Sequence, residues 1–101
     1  MKEINVEELH ELMKNQTITL IDVRSKEEFD EIHAKDVKLM PLPQIESWVH
    51  ELKPRENYYF ICKSGGRSGI ACKYLEKHGI TQVTNVLGGT TAWVEAGFDV
   101  E

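Results

Sequence analysis

The stretch that decides the fold is residues 58–68, which read YYFICKSGGRS. Its first four residues, Tyr58 to Ile61, form a short apolar run that predicts a buried strand. Glycine and polar residues follow at once, and from Ser68 to His78 the apolar residues recur at helical spacing. The stretch therefore predicts a strand, a tight turn from Cys62 to Gly66, and a helix.

The same alternation of strands and helices extends along the rest of the chain. Asn5 and Ser25 are each followed three residues later by a glutamate, the capping-box pattern that begins a helix. Apolar runs predict strands at residues 17–23, 37–40 and 82–87, and helical periodicity predicts helices at residues 45–52 and 90–96. We therefore expect an α/β fold with a mostly parallel central sheet of about four or five strands and helices on both faces.

Size and composition limit the possible functions. A chain of 101 residues is expected to form one domain, residues 1–101. Its formal net charge of -5 argues against a nucleic-acid or membrane-surface partner, both of which favour a basic face. Charged residues interrupt residues 1–20, so no secretory apolar core is evident and a cytoplasmic location is expected.

The turn after the strand has the composition of an anion site built around a thiol. In a parallel sheet, functional residues gather at the carboxyl ends of the strands, where Cys62 falls. Gly65 and Gly66 allow a tight curl whose amide groups, with the following helix N-terminus, favour negative charge. Together with Lys63 and Arg67, these amides are expected to lower the pKa of Cys62, which predicts a cysteine nucleophile.

The remaining cysteine and the histidines do not suggest a second centre. Cys72 lies among small and apolar residues of the predicted helix, which favours inert packing over a resolving role. No short cysteine spacing indicates a disulfide or zinc site. The four histidines, His10, His33, His50 and His78, are scattered. We predict no metal and no cofactor.

Three separated motifs together resemble those of rhodanese domains. They are Ile21-Asp22-Val23-Arg24 with Glu28-Phe29, Cys62-x-x-Gly65-x-Arg67-Ser68, and Leu87-Gly88-Gly89-x-x-Ala92-Trp93 followed by Ala96-Gly97. The resemblance covers essentially the whole chain, and the combination is far more specific than any one motif. The chain departs from the family where Ile32 and Asp36 stand in place of two common turn glycines, and where Asp99 stands in place of a frequent proline.

The resemblance implies a sulfurtransferase in which Cys62 takes a sulfane sulfur, becomes a persulfide, and passes that sulfur to an acceptor. The donor would be a small molecule such as thiosulfate or a persulfide, and the acceptor a thiophile, a thiol or a protein. The residues expected to bind the substrate are those of the loop: Lys63, Ser64, Gly65, Gly66, Arg67 and Ser68. We expect Asp22 and Arg24 to form a structural ion pair instead, since transfer between thiolates needs little proton shuttling.

Other functions fit parts of the sequence. A protein-to-protein persulfide carrier with little thiosulfate activity would use the same loop, and the sequence indicates neither the donor nor the oligomeric state. Cysteine phosphatases resemble the pattern Cys-x-x-x-x-x-Arg, but only four residues separate Cys62 from Arg67, a smaller ring that suits sulfur better than phosphate. Rhodanese-like domains that serve as regulatory or docking modules lack the cysteine. The presence of Cys62 therefore argues against a function of that class.

Overall fold

The computed structural model describes residues 1–101 and contains a five-stranded sheet in which every strand pairing is parallel. The spatial order is β1-β5-β4-β2-β3. The strands are β1 (Lys2–Ile4), β2 (Thr19–Asp22), β3 (Lys38–Leu39), β4 (Tyr58–Ile61) and β5 (Val83–Val86). This confirms the expected parallel sheet. Strand β1 was not predicted, because an exposed edge strand with two charged residues lacks the apolar pattern of a buried strand.

Four α-helices connect the strands and a fifth follows β5: α1 (Val6–Asn15), α2 (Lys26–Glu31), α3 (Ile45–Trp48), α4 (Gly66–Lys77) and α5 (Gly89–Glu95). Both predicted capping boxes are present, with the Asn5 and Ser25 side chains accepting the amide of the glutamate three residues later. The helix expected over residues 45–52 is shorter, because 3-10 turns at Leu42–Gln44 and Val49–Glu51 flank α3. None of these helices is long and apolar enough to cross a membrane.

Separate hydrophobic clusters cover the two faces of the sheet. On one face, residues of α3 and α4 such as Trp48 and Leu75 pack against Phe60. On the other, Leu9 and Trp93, from α1 and α5, lie in one cluster with Ile61. Strand β4 is thus covered on both sides, which explains its continuous apolar run and confirms helices on both faces. Its carboxyl end, where Cys62 begins the loop, lies beside that of β5.

The chain keeps its turn without the two glycines at positions 32 and 36. Ile32 has an extended backbone, with φ at -165°, that any residue can adopt. Asp36 has φ at 61°, and it is the one residue other than glycine with a positive φ. Aspartate is among the residues that tolerate this left-handed conformation best. The chain can therefore follow this path after α2 without a glycine at either position.

Candidate active site

Cys62 lies at the base of a loop whose polar groups reach its sulfur. The amide of Gly65 lies 3.1 Å from Sγ, and the hydroxyl oxygen of Ser68 lies 3.2 Å from it. Gly65 has φ at 114°, a left-handed conformation that side chains rarely adopt, and it forms the N-cap of α4. The thiol is thus held between a tight glycine turn and the first turn of a helix. Only 1% of Cys62 is exposed.

These contacts change the acidity of the thiol. Burial disfavours the thiolate and is the largest single influence on the pKa of Cys62. Hydrogen bonds from the Ser68 side chain and from the amides of Ser68, Gly65 and Ser64 together outweigh it, so the pKa lies below its ordinary value. The hydrogen bonds of the loop, rather than the charges expected from Lys63 and Arg67, are the main contributions that favour the thiolate.

The segment between β5 and α5 holds the loop from behind. The amide of Thr90 donates to the carbonyl of Cys62 at 2.8 Å, and the amide of Thr91 donates to that of Lys63 at 3.1 Å. Gly89 allows this approach, since a Cβ there would collide with both carbonyl groups. Gly89 of the third motif therefore allows the close contact with the cysteine loop, a contact that sequence reasoning missed although it had singled out the motif.

The Arg67 side chain forms an ion pair with Glu28. Its two terminal nitrogens donate to the two carboxylate oxygens of Glu28 at 2.7 and 2.8 Å, joining α4 to α2 across 39 residues of sequence. Hydrogen bonding to Glu28 is also the main reason that the pKa of Arg67 is raised; Cys62 contributes less. The guanidinium is thereby held in place, with part of its charge balanced by a partner that the sequence did not predict.

We expect Glu28→Gln to destabilise the protein by about 1 kcal/mol or less near neutral pH, because the paired side chains are 33% and 39% exposed and solvent screens them. Glutamine still serves the capping box, so the change removes mainly the charge. Hydrogen bonding from Arg67 lowers the pKa of Glu28 from 4.5 to about 2. Because the pKa of Glu28 is depressed in the folded state, the stabilisation that the Glu28–Arg67 pair provides is complete above about pH 4.5. It is lost as the pH falls toward 2.

Thermal unfolding from pH 7 downward checks this expectation. The difference in melting temperature between the wild type and Glu28→Gln should shrink as the pH falls. Asp30→Asn is the matched control on the same helix, because its pair with Lys26 is more exposed, at 56% and 75%. A difference that stays constant with pH, or an equal effect of Asp30→Asn, would contradict the assignment to the Arg67 pair.

Asp22 and Arg24 form the buried ion pair expected from the sequence. The Asp22 carboxylate is fully buried, and Arg24 Nη2 donates to it at 2.8 Å. The same nitrogen donates to the carbonyl of Ile32, which fixes the chain after α2. With Nε and Nη2 of Arg24 committed to Asp22 and to the Ile32 carbonyl, this pair has a structural place at the carboxyl end of β2.

Comparison with known proteins agrees with these observations. A model of the rhodanese-like domain matches residues 5–96. The chain belongs to the rhodanese-like domain family. It is 30% identical over 101 residues to a sulfurtransferase of Allochromatium vinosum, covering 99% of this chain and 94% of that protein. A rhodanese-like domain protein of Staphylococcus aureus has 35% sequence identity and a TM-score of 0.84, with 92% of this chain and 91% of that one covered.

Some relatives are longer proteins. The rhodanese-like chain spans 34% of a chloroplastic Arabidopsis thaliana protein named for rhodanese-like and PpiC domains, to which it is 34% identical over 101 residues. It spans 43% and 59% of two further curated relatives. The shared part is the rhodanese-like domain, and membership of this family specifies neither a donor nor an acceptor.

A cleft of about 390 Å³ opens beside the loop of this rhodanese-like domain. It is lined by Arg24, Glu28, Glu31, Ile32, Lys63, Thr90, Thr91, Val94 and Glu95. A larger cleft of about 540 Å³ is lined by residues 13–18 and Asp36, before the start of β2, and contains none of the loop residues. Lys63 is therefore the predicted loop residue that borders an open cleft at the active end of the sheet.

Cys72 is buried like Cys62, but its pKa is shifted in the opposite direction. It lies in α4 and is fully buried in the core, and burial is the main reason that its pKa is raised to about 12. A thiol of this acidity is not reactive at neutral pH, which supports the expected packing role. Among the histidines, His10, His33 and His78 stack on the aromatic rings of Phe98, Phe29 and Tyr74.

Proposed function

We propose that this protein transfers a sulfane sulfur from thiosulfate or a persulfide donor to a thiophilic acceptor through a persulfide on Cys62. The observation that carries the proposal is the loop geometry: the Gly65 amide donates to Sγ of Cys62, the Ser68 hydroxyl lies within hydrogen-bond distance of it, and the pKa of Cys62 is lowered although the residue is buried. Nucleophilic sulfur chemistry requires the thiolate, and a thiol of increased acidity supplies it.

The proposed cycle has two displacements at sulfur. The Cys62 thiolate attacks the outer sulfur of thiosulfate, a new S–S bond forms, and the S–S bond of the donor breaks as sulfite leaves with the electron pair. An acceptor thiolate or cyanide then attacks the outer sulfur of the persulfide. The Cys62 thiolate leaves with its electron pair, and the product is an acceptor persulfide or thiocyanate. Each step is thiol–disulfide-type exchange, without an external oxidant or reductant.

The burial of Cys62 favours a terminal sulfur as the reacting atom. With 1% of the residue exposed, a substrate must present its reacting atom inside the loop, where there is little room for substituents. The outer sulfur of thiosulfate or of a persulfide has one bond only and meets this requirement, whereas the phosphorus of a phosphate ester carries four oxygens. The four-residue separation of Cys62 from Arg67 favours the same class of substrate.

The loop supplies the charge complement for an anionic sulfur. We infer that the amides from Lys63 to Ser68 stabilise the outer sulfur as an oxyanion hole stabilises oxygen. Lys63 is exposed at the cleft and is suited to attract an anionic donor. Arg67 orients the loop through its ion pair with Glu28. The part of its positive charge that Glu28 does not balance adds to the charge complement of the loop.

The decisive experiment is a donor and acceptor screen with mass detection of the intact protein. Thiosulfate, or a small persulfide, should add the mass of one sulfur atom, which peptide mapping should assign to Cys62 and a thiol should remove. With thiosulfate and cyanide, thiocyanate should accumulate. Loading by persulfide donors alone would assign the protein to sulfur carriage, and efficient aryl phosphate hydrolysis without any loading would refute sulfur transfer.

A further inference from the structure

Asn85, in β5, connects to Cys62 through one serine hydroxyl. The side chain of Asn85 is buried, with 3% exposed, and reaches the loop that follows β4. Its Nδ2 donates to the carbonyl of Gly65 at 3.0 Å, while its Oδ1 lies 2.5 Å from the hydroxyl oxygen of Ser68. That hydroxyl oxygen is also 3.2 Å from Sγ of Cys62.

The donors and acceptors of this network are determined by elementary chemistry. The carbonyl of Gly65 can only accept, so the amide group of Asn85 must face it with NH₂, and the carbonyl oxygen of Asn85 must face Ser68. That oxygen can only accept as well, so the Ser68 hydroxyl donates to it. A hydroxyl has one hydrogen. While Asn85 receives that hydrogen, Ser68 has none for Cys62.

The protonation state of Cys62 therefore decides where the hydrogen goes. A neutral thiol can donate to the Ser68 oxygen, and all groups are then paired. A thiolate has no hydrogen to give, and Ser68 can stabilise it only by turning its own hydrogen away from Asn85. Because Ser68, Asn85 and Cys62 are all at most 3% exposed, water does not readily pair the Asn85 oxygen that is left.

We propose that Asn85 is a positioning residue that sets the acidity of Cys62 by competing with the thiolate for the hydroxyl hydrogen of Ser68. Asn85 thereby opposes the stabilisation that the loop amides provide, and keeps Cys62 less acidic than the loop alone would make it. A consequence rests on the proposed function: a less acidic thiol is a poorer leaving group, so Asn85 slows delivery of sulfur from the Cys62 persulfide.

The charged groups around Cys62 are the same in any Asn85 variant. They are Asp22 and Arg24 at the end of β2, Glu28 and Glu31 on α2, Lys63 in the loop, Arg67 on α4, and Glu95 on α5. Strands β4 and β5 contain no charged residue. A change in the pKa of Cys62 on substitution of Asn85 therefore does not report a removed charge, and a Ser68→Ala background separates the hydrogen-bond competition from the loss of the Asn85–Gly65 hydrogen bond.

The test is the pH dependence of Cys62 alkylation by iodoacetamide in a Cys72→Ala background, which leaves one thiol. We expect Asn85→Leu, which removes the competing acceptor and keeps the same number and branching of side-chain heavy atoms, to lower the pKa of Cys62 by roughly half to one unit. In a Ser68→Ala background the same substitution should leave the pKa of Cys62 unchanged, since the hydroxyl hydrogen for which Asn85 and Cys62 compete is absent. Asn85→Val replaces the leucine variant if circular dichroism shows that the latter is unfolded.

Two results would overturn the proposal: an unchanged or raised pKa in the folded Asn85 variant, or an equal fall when Ser68 is alanine. Alkylation does not involve sulfur transfer, so this outcome is independent of the proposed function. Single-turnover delivery of sulfur from loaded Cys62 to a thiol should be about two- to fivefold faster in Asn85→Leu. A wild type that never loads sulfur would refute the proposed function and leave the alkylation result to decide the role of Asn85.

Discussion

The Cys62→Ser variant is expected to lose sulfur transfer by a factor on the order of 10³ or more, whichever donor is used. An alcohol is far less acidic than a thiol, and a serine oxygen cannot form a persulfide, so both displacements fail together. The measurements are thiocyanate formation from thiosulfate and cyanide, and the mass of the protein after treatment with the donor. Neither product should be detectable above the uncatalysed background.

Cys72→Ala is the matched control for this experiment. Its thiol is buried and its pKa is raised to about 12, so it has no place in the cycle. The change leaves a small cavity that costs about 1 kcal/mol of stability, and the activity should remain close to that of the wild type. An active Cys62→Ser protein, or a folded Cys72→Ala protein without activity, would contradict the mechanism.

Gly89→Ala is expected to have the largest effect on stability, a loss on the order of 3 kcal/mol. Gly89 has φ at 57°, and a Cβ there would meet the carbonyl groups of Cys62 and Lys63. These are the carbonyls that accept the amides of Thr90 and Thr91. The backbone must therefore shift at the junction between the loop and α5, and the alkylation rate of Cys62 should change together with stability.

Urea unfolding of Gly89→Ala and Gly79→Ala separates steric conflict from backbone strain. Gly79 also has a positive φ, 88°, but no atom beyond its chain neighbours lies within 4 Å of the position that a Cβ would take there. Its substitution should cost only the strain, about 1 to 2 kcal/mol. Equal losses for the two variants would show that the contact with the Cys62 loop is not the cause.

The elements that were predicted correctly depend on local interactions. The capping boxes at Asn5 and Ser25 need only residues three apart, and the apolar run from Tyr58 to Ile61 reports burial directly. The turn after Cys62 was predicted because glycine is the residue that adopts its left-handed backbone. Strand β1 escaped prediction because its place depends on pairing with β5, which is distant in sequence.

The sequence by itself determined the parallel α/β fold, the family, and the nucleophile predicted at Cys62, because periodicity, caps and a short loop motif are local properties. Only the tertiary structure decided which groups surround that thiol. Glu28 reaches Arg67 across 39 residues, and Asn85 shares the hydroxyl of Ser68. Such contacts form where parallel strands end at one edge of the sheet, so no spacing along the chain encodes them. They hold the loop and its hydroxyl in place around Cys62, whereas the sequence predicted only which residue is the nucleophile.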